Sequence, residues 1–243
     1  MSAPERRLNG VSSVSALDPK AQLPYLDPTK WRVWMEDWTI YDTAQTDTPI
    51  WTLTNTNTGG VDTVVTPGKI VLTLDGGADD ACKLQADHAK FFLVSGKKAM
   101  FETKIKIVKA SGGAIGQEGF VVGLTSIQTS TNFMDDPPPT TRAFDDGWGF
   151  MSYDATANMI AFQGEADVFS TEVGCTTYAD DTWMTLAIYY DGSKSIFYKD
   201  GSILCEISTN EPTSVIAPVL FISAGEAKAD VIQCAYMFVA TER

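Results

Sequence analysis

Histidine is nearly missing from this sequence: His88 is the only one among 243 residues. The four cysteines, Cys82, Cys175, Cys205 and Cys234, are widely spaced, and no two make a Cys-x-x-Cys pair. Such a set does not compose a Cys/His zinc site. His88, in the polar run LQADHAKFF, reads as a surface residue and not as the base of a Ser-His-Asp triad. Basic residues are the scarcer charge, 18 against 31 acidic ones, for a net charge of −13. That balance lacks the basic stripe that duplex nucleic acid demands and suits an anionic membrane surface poorly. Apolar runs of membrane-spanning length are also missing, and residues 1–20 contain no apolar core of a secretory signal. The expectation is therefore a chain folded in a reducing cytoplasm, with thiols that stay reduced and partly buried.

Cofactor signatures are equally sparse. The run Gly112-Gly113-Ala114-Ile115-Gly116 is not followed by the lysine and helix of a phosphate loop and reads as a hairpin tip. The acids Asp79-Asp80 and Asp135-Asp136 lack the spaced oxygen ligands around a glycine turn that calcium needs. No cofactor and no metal are expected.

What the chain has is 44% apolar and 11% aromatic residues, enough for a substantial core in one all-β domain. Residues 1–30 differ from the rest. They are rich in Ser, Pro, Ala and Asn, and Pro4, Pro19, Pro24 and Pro28 exclude a regular element. This stretch is expected to be an extended N-terminal arm, with Leu23, Tyr25 and Leu26 as anchors for a partner. From Trp31 to Arg243 short β-type runs follow one another between turn residues, and helical spacing is not sustained anywhere. In KIVLTLD, Ile70, Leu72 and Leu74 point one way and Lys69, Val71, Thr73 and Asp75 the other. In KAMFETKIKIV, Phe101, Thr103, Ile105 and Ile107 alternate with Glu102, Lys104 and Lys106, and Met100 falls outside that pattern. Trp34, Trp38, Trp51 and Trp183 are assigned to the core. The longest stretch without strand character, residues 127–145, contains Pro137-Pro138-Pro139 and is read as a contact loop carrying Phe133, Met134, Arg142 and Phe144.

The most specific segment is Thr182–Ile207, TWMTLAIYYDGSKSIFYKDGSILCEI. Two Asp-Gly pairs, Asp191-Gly192 and Asp200-Gly201, supply the positive φ values of two-residue hairpins, so the segment reads as a three-strand meander with an outer face open to a partner. This pattern resembles laminin-G-like and concanavalin-like jelly-roll domains. The wider layout resembles a phage virion protein family of that fold. The shared features are Trp34-Met35-Glu36-Asp37, the strand Gly96–Lys104, Phe120–Thr125, Asp146–Phe150, the Tyr-Asp-Gly hairpin and the ending Ala240-Thr241-Glu242-Arg243. The resemblance spans residues 31–243. It implies an antiparallel β-sandwich and a non-enzymatic virion structural protein, a capsid decoration protein bound to the outside of the major capsid protein shell. Its location would be the virion surface after synthesis in the host bacterial cytoplasm, with self-association as a homo-oligomer left open.

Sandwiches of this type also host glycosidases and lectins. A retaining glycosidase needs two carboxyls about 5 Å apart on one strand face. Glu165 and Asp167 fit such a strand, but Phe169 and Ser170 occupy the positions of the third acid, and Glu172 has the wrong parity. No catalytic residues are assigned. The alternative to the virion role is glycan binding, with Trp148, Tyr153 and Asp154 as a candidate sugar platform, although Trp148 between glycines also suits a core position.

Overall fold

The computed structural model describes residues 29–38, 51–56, 64–66, 68–77, 80–86, 89–110, 118–128, 144–152, 157–224 and 227–243. Fifteen strands follow one another in these residues: β1 (Trp31–Glu36), β2 (Thr52–Thr56), β3 (Val64–Thr66), β4 (Lys69–Thr73), β5 (Ala81–Gln85), β6 (Ala99–Val108), β7 (Glu118–Thr125), β8 (Gly147–Ser152), β9 (Asn158–Glu165), β10 (Val168–Thr177), β11 (Met184–Tyr190), β12 (Ser195–Lys199), β13 (Ser202–Ile207), β14 (Ala217–Ala224) and β15 (Val231–Glu242). They form two antiparallel sheets. One has the order β13-β12-β11-β6-β15-β4-β3, with β1 also beside β15; the other runs β10-β9-β8-β7-β14-β5-β2. The expected all-β sandwich is thus observed. Among the described residues no helix is long and apolar enough to cross a membrane.

Alternation puts the core between the sheets. On β4, Ile70 and Leu72 are buried while Lys69, Val71 and Thr73 are half-buried. On β6, Phe101, Ile105 and Ile107 face the facing sheet's Phe120, Val122, Leu124, Leu220 and Ile222 in one continuous cluster. Met100 is not an irregularity. It follows the same alternation on the opposite face, where it packs with Phe238 and Ala240. The long β15 serves two neighbours in turn on one side: Cys234 lies opposite Ile70 of β4, and further along Met237 lies opposite Glu36 of β1. A bulge between Cys234 and Tyr236 separates the two pairings, and the Thr103 hydroxyl donates to Tyr236 O at 2.7 Å across it.

The meander forms as expected from β11, β12 and β13, but its two turns differ. Asp200 and Gly201 both have positive φ (49° and 83°) and join β12 to β13 as a two-residue hairpin, with Lys199 opposite Ser202. Asp191-Gly192 instead opens a four-residue loop. The Asp191 carboxylate accepts from Ser193 N, Ser193 Oγ and Lys194 N at 2.8–2.9 Å, so the side chain closes this turn. Partial burial pushes the Asp191 carboxyl up, but these donors and the Lys194 ammonium outweigh it and hold it below its usual value.

Two glycines explain how the seven-stranded sheet closes up at its centre. Gly123 of β7 lies opposite Gly149 of β8. A Cβ on Gly123 would sit 2.4 Å from Trp148 O and 2.6 Å from Gly149 Cα, so neither position tolerates a side chain. These glycines bring two neighbouring strands of one sheet close together.

Candidate functional site

The eight-residue acidic run around Glu165 is not one strand. Glu165 ends β9, Ala166 and Asp167 form the turn with φ of 47° and 67°, and Val168 opens β10 opposite Glu165. Glu172 pairs with Ala161 on the return strand. The spacing that puts alternate carboxylates on one face therefore does not apply here. Glu165 Oε1 instead accepts from Thr213 Oγ1 at 2.7 Å, and Asp167 N donates to Asp145 O at 2.9 Å.

The outer face of the seven-stranded sheet is filled. Val121, Met151, Ile160, Phe162, Val219 and Phe221 form a second buried apolar cluster on it, joined by Phe144 and Phe169. At its other end Gln85 donates to Thr125 Oγ1 and Ser126 O, both at 3.1 Å, and accepts from Gln128 N at 3.2 Å; the buried Lys83 ammonium donates to Gln128 O at 2.5 Å. Residues 126–128 thus run back over β5. On the meander's outer face Ala187, Tyr189, Ile196 and Tyr198 make a buried cluster of their own, and only toward its edge is an apolar side chain, Ile203, exposed.

Of the partner-contact residues expected from sequence, Leu23, Tyr25, Leu26, Phe133, Met134 and Arg142 lie outside the described residues. Phe144 is described, and the structure corrects its assignment. Its exposure is 0% and its ring packs at 5.6 Å from Phe162 and 5.4 Å, edge-on, from Phe169. As part of a packed aromatic trio it has no surface left to offer a partner. Trp148 is corrected in the same way: its ring is fully buried between the sheets and cannot serve as a sugar platform. Tyr153 and Asp154, with His88, Asp79 and the Asp135-Asp136 pair, lie outside the described residues. Asp80 is buried and accepts from Gly77 N at 2.7 Å. No group of three or more metal-ligating side chains occurs among the described residues. Trp38 and Trp51 are buried as expected, whereas Trp183 leaves the core and lies beside the ammonium groups of Lys104 and Lys106 at 5.8 and 5.5 Å.

Trp148 nevertheless leads to a polar constellation that reaches the surface. Its indole N–H donates to Ser195 Oγ at 2.8 Å, Ser195 Oγ donates to Gln163 Oε1, and Gln163 Nε2 donates to Thr209 O at 3.0 Å. From there the network continues through Ser170, which contacts Thr209 Oγ1 and accepts from Asn210 Nδ2 at 2.9 Å. Thr213 adds its bond to Glu165, and its N–H meets Asp146 Oδ1 at 3.3 Å. Hydroxyl, amide and carboxylate groups from β9, β10, β12 and the 208–214 loop thus form one ledge beside the β9–β10 hairpin. The arrangement can donate to and accept from a polyol. Sequence reasoning missed Gln163, Ser170, Thr209, Asn210 and Thr213. The one local signal was the turn composition Thr209-Asn210-Glu211-Pro212, in which Asn210 takes φ 59°.

The two-sheet fold is that of the concanavalin- and legume-lectin-like jelly-roll sandwiches. Solved structures of that class overlay most of it. A protein of unknown function, SO2946 from Shewanella oneidensis MR-1, matches with TM-score 0.56 at 14% identity over 88% of this chain and 87% of that one. The carbohydrate recognition domain of Emp46p in its potassium-bound form matches with TM-score 0.57 at 13% identity, covering 84% and 94%. The endo-1,3-β-glucanase from Streptomyces sioyaensis gives TM-score 0.58 at 11% identity over 87% and 96%. Lectins and a glycan hydrolase share this architecture, and at such identities the likeness establishes the fold alone. No family model matches the sequence, and no curated protein matches it.

Proposed function

We propose that this protein is a non-enzymatic binding sandwich that decorates the outer surface of a phage capsid. The observation that carries the binding part is the fate of the acidic run: Glu165 ends a strand at a tight turn that contains Asp167, and the adjoining sheet face is packed with apolar side chains. The virion part is supported by the sequence resemblance over residues 31–243. In this reading the sandwich is a rigid body, and residues 1–28 with the 127–145 loop reach the major capsid protein and cover seams between its subunits. Its place would be the virion surface, after synthesis in the host cytoplasm. Co-sedimentation with shells lacking the protein tests this. The full chain should pellet with shells, and a chain without residues 1–28 should stay folded and remain in the supernatant. Undiminished pelleting of the shortened chain would remove the arm from the mechanism.

A second reading, glycan binding, is favoured by the ledge, whose groups match the hydrogen-bonding needs of a polyol, and by the carbohydrate recognition domains among the structural neighbours. Binding on a glycan array that disappears in Asn210→Ala, with the fold intact, would establish it.

A further inference from the structure

We propose that Cys175 and Cys205 form an intramolecular disulfide that locks the two sheets together along one flank. Cys175 lies on β10, the outermost strand of the seven-stranded sheet, and Cys205 on β13, the outermost strand of the eight-stranded one. No backbone ladder joins these strands, yet the two sulfurs stand 3.1 Å apart, both half-buried against the core margin. That is already inside ordinary sulfur contact, and a bond length of about 2.05 Å needs a closure of only about 1 Å.

The backbone around both residues is suited to that movement. The β9–β10 pairing is irregular between Glu172 and Thr176, which brackets Cys175. The β12–β13 pairing slips between Phe197 and Tyr198, directly beside the Phe197–Cys205 pair. Bulged segments adjust by small amounts without breaking a continuous ladder. Beside this pair the Lys199 ammonium of β12, the neighbour of β13, ties the two sheets together as well, donating to Thr177 O of β10 at 2.5 Å with Thr176 Oγ1 at 3.5 Å.

The other two thiols make the contrast. Cys82 and Cys234 are fully buried, and burial pushes both up to about 12, so neither offers a thiolate near neutral pH. Cys234 also donates to Tyr236 O at 3.3 Å. Oxidation is thus directed to one pair.

The step is thiol–disulfide exchange with a low-molecular-weight disulfide such as oxidised glutathione. One cysteine thiolate attacks it and releases one thiol; the second cysteine then attacks the mixed disulfide and releases the other. The two protein thiols lose two electrons and two protons in all, and one small disulfide becomes two thiols. The bridge stays open in a reducing cytoplasm and closes once the protein meets an oxidising medium.

The test incubates the purified full chain with oxidised glutathione under native conditions, then denatures and counts thiols. We expect the count to fall from the four of the sequence to two. The intact mass should fall by two hydrogens, and a peptide map should join the Cys175 and Cys205 peptides within one molecule. Closing a loop of this length should raise Tm by roughly 6–12 °C, reversibly with dithiothreitol, and the rise should vanish in Cys175→Ser and Cys205→Ser. Four remaining thiols, a link to Cys82 or Cys234, or a link between two molecules would overturn the proposal.

Discussion

The two flanks of the sandwich are closed by different chemistry. On one flank, where Trp34 of β1 meets Trp51 just ahead of β2, aromatic rings do the closing: Trp34 and Trp51 lie 5.6 Å apart, Trp38 and Trp51 5.0 Å, and Phe91 adds an edge contact to Trp34. Glu36 ties them, accepting from Trp38 N at 2.9 Å and from Trp51 Nε1 at 3.1 Å. On the other flank, β10 meets β13 through two thiols and β12 through one lysine, with the polar ledge alongside, and the exposed apolar residues Val168 (59%) and Ile203 (61%) sit there. The aromatic flank gains its strength mainly from buried area, which is non-directional and indifferent to redox conditions. The thiol flank depends on a few directional contacts and one bond that can be made or broken. One flank is built to stay shut, and the other can be set.

The largest effect should come from breaking the aromatic flank. Trp51→Ala removes a buried ring and leaves Glu36 without one of its donors, so it should lower stability by about 3–5 kcal/mol in chemical denaturation. On the polar flank, Ser195→Ala leaves the buried Trp148 N–H and the Gln163 carbonyl facing no partner. A loss of about 1–3 kcal/mol is expected by the same measurement, and a smaller cost than that of Trp51→Ala is what the comparison requires. Ala166→Gly should go the other way. Ala166 has φ 47° in the β9–β10 turn, and relieving that position should stabilise by about 0.5–1 kcal/mol, read as a small rise in Tm. The smallest effect is a pH dependence at Asp191. Its carboxyl is held below the usual range in the folded state, so its contribution is complete above the unfolded value of about 3.9 and fades as pH falls through the lower folded value. Asp191→Asn should flatten acid unfolding in that window and leave stability at pH 7 little changed, because the group is largely exposed.

Much of the sandwich was legible because it rests on period-two alternation, as in Ile70, Leu72, Phe101, Ile105 and Ile107. The meander was legible for the same reason. Its turns were only half so: Asp200-Gly201 behaves as its dipeptide suggests, while Asp191 uses its side chain to hold a longer loop, a choice set by local hydrogen bonds. The Ala166-Asp167 turn was not legible, because neither residue is the glycine that its φ values favour, and a run of acids looked like a strand. Phe144 was misread as a surface group, and the bonding of Trp148 was not legible beyond its core position, because their neighbours come from far along the chain: Phe162 and Phe169 for one, Ser195 for the other. The ledge and the Cys175–Cys205 contact share that cause. Each joins residues tens of positions apart whose meeting is decided by which strands lie at the sheet edges.

The most direct test of the decoration role is cryo-electron microscopy of shells lacking this protein after mixing with the purified full chain. The account predicts sandwich-shaped density at fixed lattice positions on the outer surface, with the chain's N-terminal side toward the shell. Bare shells at saturating protein would contradict it.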